Sequence, residues 1–262
     1  MVRYEAAPVI PQLAKDRRPG RHCRMTYSIL MHDPENGAFG AGVASRFFAV
    51  GAICLHAEGR IGALSTQALV NPMYGPDGMA LLRGGMGARE VVDRLVADDP
   101  GQAQRQVHVI DALGEVGQHT GPECVEWAGH LHGKRVSVAG NMLAGPGVLD
   151  AMLRGFSASS GPVAVRLIAA LEAGEDAGGD KRGRQSAAVR VYTNDPVADL
   201  DIRADDHPDP LGELRRLHKV SLERFAAFRR IMAGRATGWG VLDRAEIESA
   251  VARHGQPMEG TR

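Results

Sequence analysis

Apolar and polar positions change period several times along this chain. Residues 26–32, TYSILMH, are extended and apolar, and residues 39–44, FGAGVA, form a second short run. Between them Asp33-Pro34-Glu35-Asn36-Gly37 is a turn sequence, because proline fixes φ and Asn-Gly tolerates positive φ. A β-hairpin is predicted. Residues 51–56 and 60–66 read as two more strands around Ala57-Glu58-Gly59. The prolines and glycines of residues 71–78, NPMYGPDG, predict a loop. Helical spacing follows, with a short helix over 79–83 and a longer one over 88–97 that buries Val91, Val92, Leu95 and Val96. Period two returns over 105–111, where Val107 and Val109 alternate with Gln106 and His108. Short strands are predicted over 115–119 and 136–139, helices over 148–156 and 162–173, and strands over 186–192 and 200–203.

Hairpins make mostly antiparallel sheets, and helices that arrive in pairs suit a helical layer on each outer face of two packed sheets. The expected fold class is therefore α+β. From residue 205 the composition changes. Asp205-Asp206-His207-Pro208-Asp209-Pro210 reads as a rigid polar linker, residues 211–232 as a helix, and Asp243 with Glu246 as a capping box for a last helix to about residue 253. Three parts are expected: a disordered lead over 1–24 with Met25 as the better start, a core over 25–203, and a linker with helical tail over 204–262.

Composition narrows the function classes. Lys plus Arg and Asp plus Glu both number 31 in 262 residues, so no charge excess argues for nucleic acid or an anionic membrane as partner. No apolar run approaches a membrane span. Cys23, Cys54 and Cys124 form no C-x-x-C pair, which suits a reducing compartment, and a cytoplasmic location is expected. The 33 glycines exceed the usual share of about 7 % and predict tight turns and close backbone approaches.

Candidate chemistry centres on Thr26. If a cut or a start at Met25 frees it, its α-amine can serve as base for its own hydroxyl, a self-contained nucleophile for acyl transfer. Ser45 and Arg46, at the end of the paired strand, would sit beside it, with Arg46 able to hold a carboxylate. Thr66, Gln67 and Asn71, where the fourth strand enters a Gly/Pro loop, could form an oxyanion hole, as could Asn141 after Gly140. In residues 178–186, Asp180, Lys181, Arg184 and Gln185 beside paired glycines could cradle an anionic group. A rival chemistry is a metal site built from His119, His130, His132 and the Asp205-Asp206-His207 group, although no third ligand has a diagnostic spacing.

Several segments together look like one bacterial family: SRFFAVG at 45–51, STQALVNPMYGPDG at 65–78, RQVHVID at 105–111, GNMLAG at 140–145, GGDKRGRQSAA at 178–188 and DDHPDP at 205–210. The chain, over about residues 25–217, resembles the domain of unknown function 1028 family, which is placed by fold in the N-terminal nucleophile (Ntn) hydrolase superfamily. The resemblance implies a four-layer αββα sandwich and makes Thr26 the nucleophile. It departs from proteasome-like members in having Ser45-Arg46 where they have an Asp-x-Arg turn, and Cys54 and His56 near their helper lysine. The expected function is an amidohydrolase that cleaves a small amide C–N bond, anionic if the basic groups grip it. Thr26 and Ser45 would be catalytic, with Thr66 or Asn141 as oxyanion donor. Arg46, Gln67, Asn71, Asp180, Lys181, Arg184 and Gln185 would line the substrate. No cofactor and no metal are implied, and the apolar tail helices leave room for a homodimer. A non-catalytic protein that binds a small molecule or a partner, and a metal-dependent hydrolase, are the alternatives.

Overall fold

The computed structural model describes residues 26–254; the expected lead over 1–24 lies outside the described residues. Strands β1 (Thr26–Asp33) and β2 (Ala38–Ser45) are the expected hairpin, in register from Thr26 opposite Ser45 to Asp33 opposite Ala38. Gly37 adopts φ 72° in the turn, and Asn36 Oδ1 accepts the Ala38 N–H at 2.9 Å. The stretch read as a third strand is instead a short helix, α1 (Val50–Cys54), running into β3 (Leu55–Glu58). Gly51 lets this helix pack closely on Ala188, whose Cβ would lie 2.1 Å from one added at Gly51.

Next come β4 (Gly62–Ala68) and α2 (Tyr74–Arg83). This helix starts inside the segment expected to be a loop. Pro76 is its third residue, where an N–H has no intrahelical partner to lose. Gly75 and Gly78 are there for contact rather than for a turn. A Cβ on either would meet the His56 ring at 2.2 Å or Leu64 at 2.5 Å. The chain continues through α3 (Ala88–Ala97), β5 (Arg105–Asp111), β6 (Val116–Thr120), β7 (Gly129–Gly133), β8 (Val136–Asn141), α4 (Gly147–Ala158) and α5 (Val163–Asp176). It closes with β9 (Ser186–Tyr192), β10 (Leu200–Ala204), α6 (Pro210–Glu223), α7 (Phe225–Ile231) and α8 (Arg244–His254). The single helix expected over 211–232 is broken at Arg224, with φ −142° and ψ −41°. Asp243 Oδ1 accepts the Glu246 N–H at 2.8 Å, the cap expected for the last helix.

The fold is mixed α/β, with two antiparallel sheets and eight α-helices among the described residues. One sheet has the strand order β10-β9-β2-β1-β8-β7 and the other β3-β4-β5-β6. Three apolar clusters hold them. Tyr27, Ile29, Met31 and Val138 of the larger sheet pack with Leu149, Met152, Leu167 and Leu171 of α4 and α5, joined by Leu211 and Leu214 of α6. Leu64, Val107 and Val109 of the smaller sheet pack with Met79, Val91 and Val92 of α2 and α3. Leu30, Phe39, Ala41 and Val43 meet Leu55, Ala63 and Ile110 between the two sheets. Fully burying a side chain such as Ile29 or Met31 contributes about 1.5–3 kcal/mol. No helix among the described residues is long and apolar enough to cross a membrane.

Both faces of β1 are thus covered, and strand alternation sorts its side chains. Tyr27, Ile29 and Met31 face the helices, whereas Thr26, Ser28 and Leu30 face the other sheet. One end of the space between the sheets is therefore polar.

Candidate functional site

Thr26 heads β1, an inner strand of the larger sheet. Its backbone neighbours are Ser45, the last residue of β2, and Asn141, the last residue of β8. Three strand ends converge there. Thr26 Oγ1 donates to Ser45 Oγ at 3.2 Å, and Gln67 Nε2, reaching across from β4, donates to the Thr26 carbonyl at 3.4 Å. Thr26 is 5 % exposed, and Ser45, Gln67 and Asn141 are buried with it. The floor below is polar as well. Asn141 Nδ2 and Gln67 Nε2 both donate to Gln106 Oε1, at 3.2 and 2.7 Å.

Sequence reasoning missed the deeper part of this floor. Ser28 Oγ lies 2.8 Å from His108 Nε2, and His108 Nδ1 lies 2.7 Å from Ser137 Oγ. A hydroxyl–imidazole–hydroxyl row of this kind can serve nucleophilic catalysis, but all three residues are 0 % exposed. Burial pushes the His108 imidazole down to about 3, with the neighbouring His130 adding to the effect. The ring is therefore neutral at ordinary pH. A signal was available: Gln106 and His108 share one face of a strand whose other face carries Val107 and Val109, and Ser28 shares a face with Thr26.

The structure does not bring every expected residue to Thr26. Thr66 and Gln67 are neighbours on β4 and point to opposite sides. Gln67 faces the larger sheet; Thr66 lies on the helix-facing side with Leu64 and donates to the Asn71 carbonyl at 3.2 Å. Asn71 belongs to a separate cluster. Its Nδ2, the Tyr74 hydroxyl and Arg105 Nε all donate to Asp99 Oδ2, at 3.2, 2.7 and 2.7 Å. Arg105 first, then Tyr74, Gly101 and Asn71, hold the Asp99 carboxyl well below the usual range against its desolvation. A cavity of about 590 Å³ opens at Asn71, Tyr74 and Asp99, away from Thr26. Of the expected oxyanion donors, Asn141 is therefore at the site, Thr66 is turned away from it by strand alternation, and Asn71, in the loop after β4, is held in the Asp99 cluster.

The loop before β9 does border the site, since Ser186 pairs with Ser45. Its charges are turned inward on one another. Asp180 Oδ2 accepts the Arg46 N–H at 2.8 Å, and the Arg182 side chain donates to both Asp180 oxygens, at 3.2 and 3.0 Å. Arg46 Nη1 donates to the Arg182 carbonyl at 2.6 Å. Arg184 Nε donates to Glu175 Oε1 at 2.7 Å, and Tyr27 donates to the other oxygen of that carboxylate at 2.6 Å. Gln185 Nε2 donates to Asp206 at 3.2 Å. Asp180 and Arg184 thus tie the loop down, and Lys181 and Arg46 are exposed beside it. Cys54, near the expected position of a helper lysine, is buried between the sheets, and its thiol is pushed up to about 12.

Three of the histidines proposed as ligands are each engaged by another group. His130 Nδ1 is 2.9 Å from Thr120 Oγ1, His119 Nε2 is 2.9 Å from the Gln102 carbonyl, and His207 Nδ1 accepts the Asp209 N–H at 3.0 Å. Among the described residues no group of three or more His, Cys, Asp or Glu side chains could hold a metal ion.

No curated protein matches the chain. A solved structure from Silicibacter pomeroyi, a protein of family DUF1028, is similar with a TM-score of 0.78 and 33 % identity, covering 84 % of this chain and 96 % of that one. Anbu (ancestral beta-subunit) from Yersinia bercovieri has a TM-score of 0.38 and 12 % identity, covering 75 % of this chain and 94 % of that one, a likeness too slight to support anything further. The sequence also matches, over residues 26–214, the family described as a family of unknown function (DUF1028). The chain belongs to the DUF1028 family.

Proposed function

We propose that this chain is an Ntn-type amidohydrolase with Thr26 as nucleophile, built on a four-layer αββα sandwich. The observation that carries the reading is the place of Thr26: at the head of an inner strand, where the ends of β2 and β8 meet, with its hydroxyl 3.2 Å from that of Ser45. The clusters that pack α4 and α5 on one sheet and α2 and α3 on the other support the layering.

The chemistry needs a free α-amine on Thr26. Such an amine has a pKa of about 7.7–8.0, so a useful fraction is an unprotonated base at neutral pH. Thr26 Oγ1 attacks the amide carbonyl as its proton passes to that amine. The C–N bond then breaks, the leaving nitrogen takes the proton, and water hydrolyses the ester left on Oγ1. Ser45 orients the hydroxyl, and Asn141 is the oxyanion donor within reach. The substrate is a small amide, with Lys181 and Arg46 at the rim for an anionic group. This chemistry asks for no cofactor.

The test has two parts. N-terminal sequencing of the protein from its native host should find chains that begin at Thr26. Thr26→Ala should fold normally and lose all hydrolysis of an amide library. Hydrolysis that survives in this variant sinks the proposal; a Thr26 that is always internal favours a binding role for the same site.

A further inference from the structure

The hydrogen bonds between the two sheets run in one direction. Gln118 Nε2 lies 2.9 Å from the Leu131 carbonyl and 3.3 Å from that of Val138. Two acceptors at that end demand the amide nitrogen there. Ser137 Oγ lies 2.9 Å from the same nitrogen, which can donate to it but cannot accept, so the Ser137 proton is free for His108 Nδ1 at 2.7 Å. The ring proton is left on Nε2, facing Ser28 Oγ, and Ser28 donates in turn to Gln67 Oε1 at 2.6 Å. The other end gives the same answer independently. Gln106 Nε2 lies 3.0 and 2.9 Å from the carbonyls of Gly129 and Gly140, so Gln106 turns its oxygen to Gln67.

The geometry points to His108 as a positioning residue for Thr26: a ring protonated on Nε2 alone, acting through Ser28, joins Gln106 in holding the nitrogen end of the Gln67 amide toward the Thr26 carbonyl. The inference rests on the reading of Thr26 as nucleophile. With the proton on Nδ1 instead, Ser28 would donate to the ring and accept from Gln67 Nε2. Gln67 Oε1 would then face both the Thr26 carbonyl and Gln106 Oε1, three acceptors with no proton between them. Complete burial, which keeps the ring neutral, protects the arrangement. Every buried member of the row has a hydrogen-bond partner: among the described residues, the buried side-chain atoms without a hydrogen bond are Arg166 Nε, Arg190 Nε and Asp199 Oδ2, all elsewhere.

Two measurements test this. Nitrogen-15 NMR of the full chain at pH 7 should show His108 neutral with its proton on Nε2. A proton on Nδ1, or an imidazolium, overturns the inference without any variant. The second uses a small β-lactone as probe, read by intact mass. Thr26 Oγ1 attacks the ring carbonyl, the ring C–O bond breaks, and the released alkoxide takes the proton from the α-amine. Ser28→Ala should slow acylation about tenfold to a hundredfold at saturating lactone, with half-saturation and circular dichroism unchanged. Equal rates in variant and wild type overturn the positioning role alone. A wild type that is never acylated at Thr26 removes both the nucleophile reading and this inference.

Discussion

The space between the two sheets has two unlike halves. At the turn end of the β1–β2 hairpin it is filled by Leu30, Phe39, Ala41, Val43, Leu55, Ala63 and Ile110. At the Thr26 end it holds Ser28, Ser45, Gln67, Gln106, His108, Ser137 and Asn141, equally buried. The apolar half works without directional demands: any shape that fills it contributes, roughly in proportion to area. The polar half tolerates one arrangement, because a buried donor or acceptor without its partner costs about 1–3 kcal/mol. The first half supplies cohesion. The second supplies a unique geometry, and it lies under Thr26.

Phe39→Ala should break the comparison hardest. It empties the apolar half beside the stacked His32 ring and should cost about 3–5 kcal/mol in denaturant unfolding, with the tautomer of His108 unchanged. Ser28→Ala should cost less, about 1–3 kcal/mol, by leaving the His108 Nε2–H without an acceptor. A larger loss than that of Phe39→Ala would mean that the polar half carries the cohesion too.

Acid should separate the halves without a mutation. The folded-state pKa of His108, about 3, lies below the unfolded value of about 6.5, so the unfolded chain binds the extra proton. Its contribution is full above about pH 6.5 and is lost as pH falls toward 3. A His108→Gln variant should show a shallower loss of stability over that window in thermal melts. Ser65→Ala should do least. Its hydroxyl is a second, 3.3 Å donor to a Gln67 oxygen already served by Ser28, so a change of about 0.5 kcal/mol is expected.

Much of this was legible in the sequence. The 105–111 strand stands where the alternation put it, the 186–192 strand has the bounds expected, and the Pro/Asn-Gly turn pairs Thr26 with Ser45 as expected. Two kinds of information were not legible. Glycine has one letter and several uses: Gly51, Gly75 and Gly78 read as turn or strand residues, but what fixes them is the neighbour each must clear. Alternation gives two faces without saying what covers each. Period two in an antiparallel strand commonly marks a solvent face. His108 sits instead against a second sheet, and Thr66, read as a partner of Thr26, is one residue out of phase with it.

The convergence of strand ends at Thr26 has a consequence for how such a protein can change. Three loops leave that point, over residues 46–49, 142–146 and 178–185, and none contributes the strand neighbours of Thr26. Those come from Ser45 and Asn141, inside the sheet. Loops tolerate insertion and replacement far better than the elements they join. The rim can therefore be rewritten segment by segment, in nature or at the bench, while the ground beneath it stays the same.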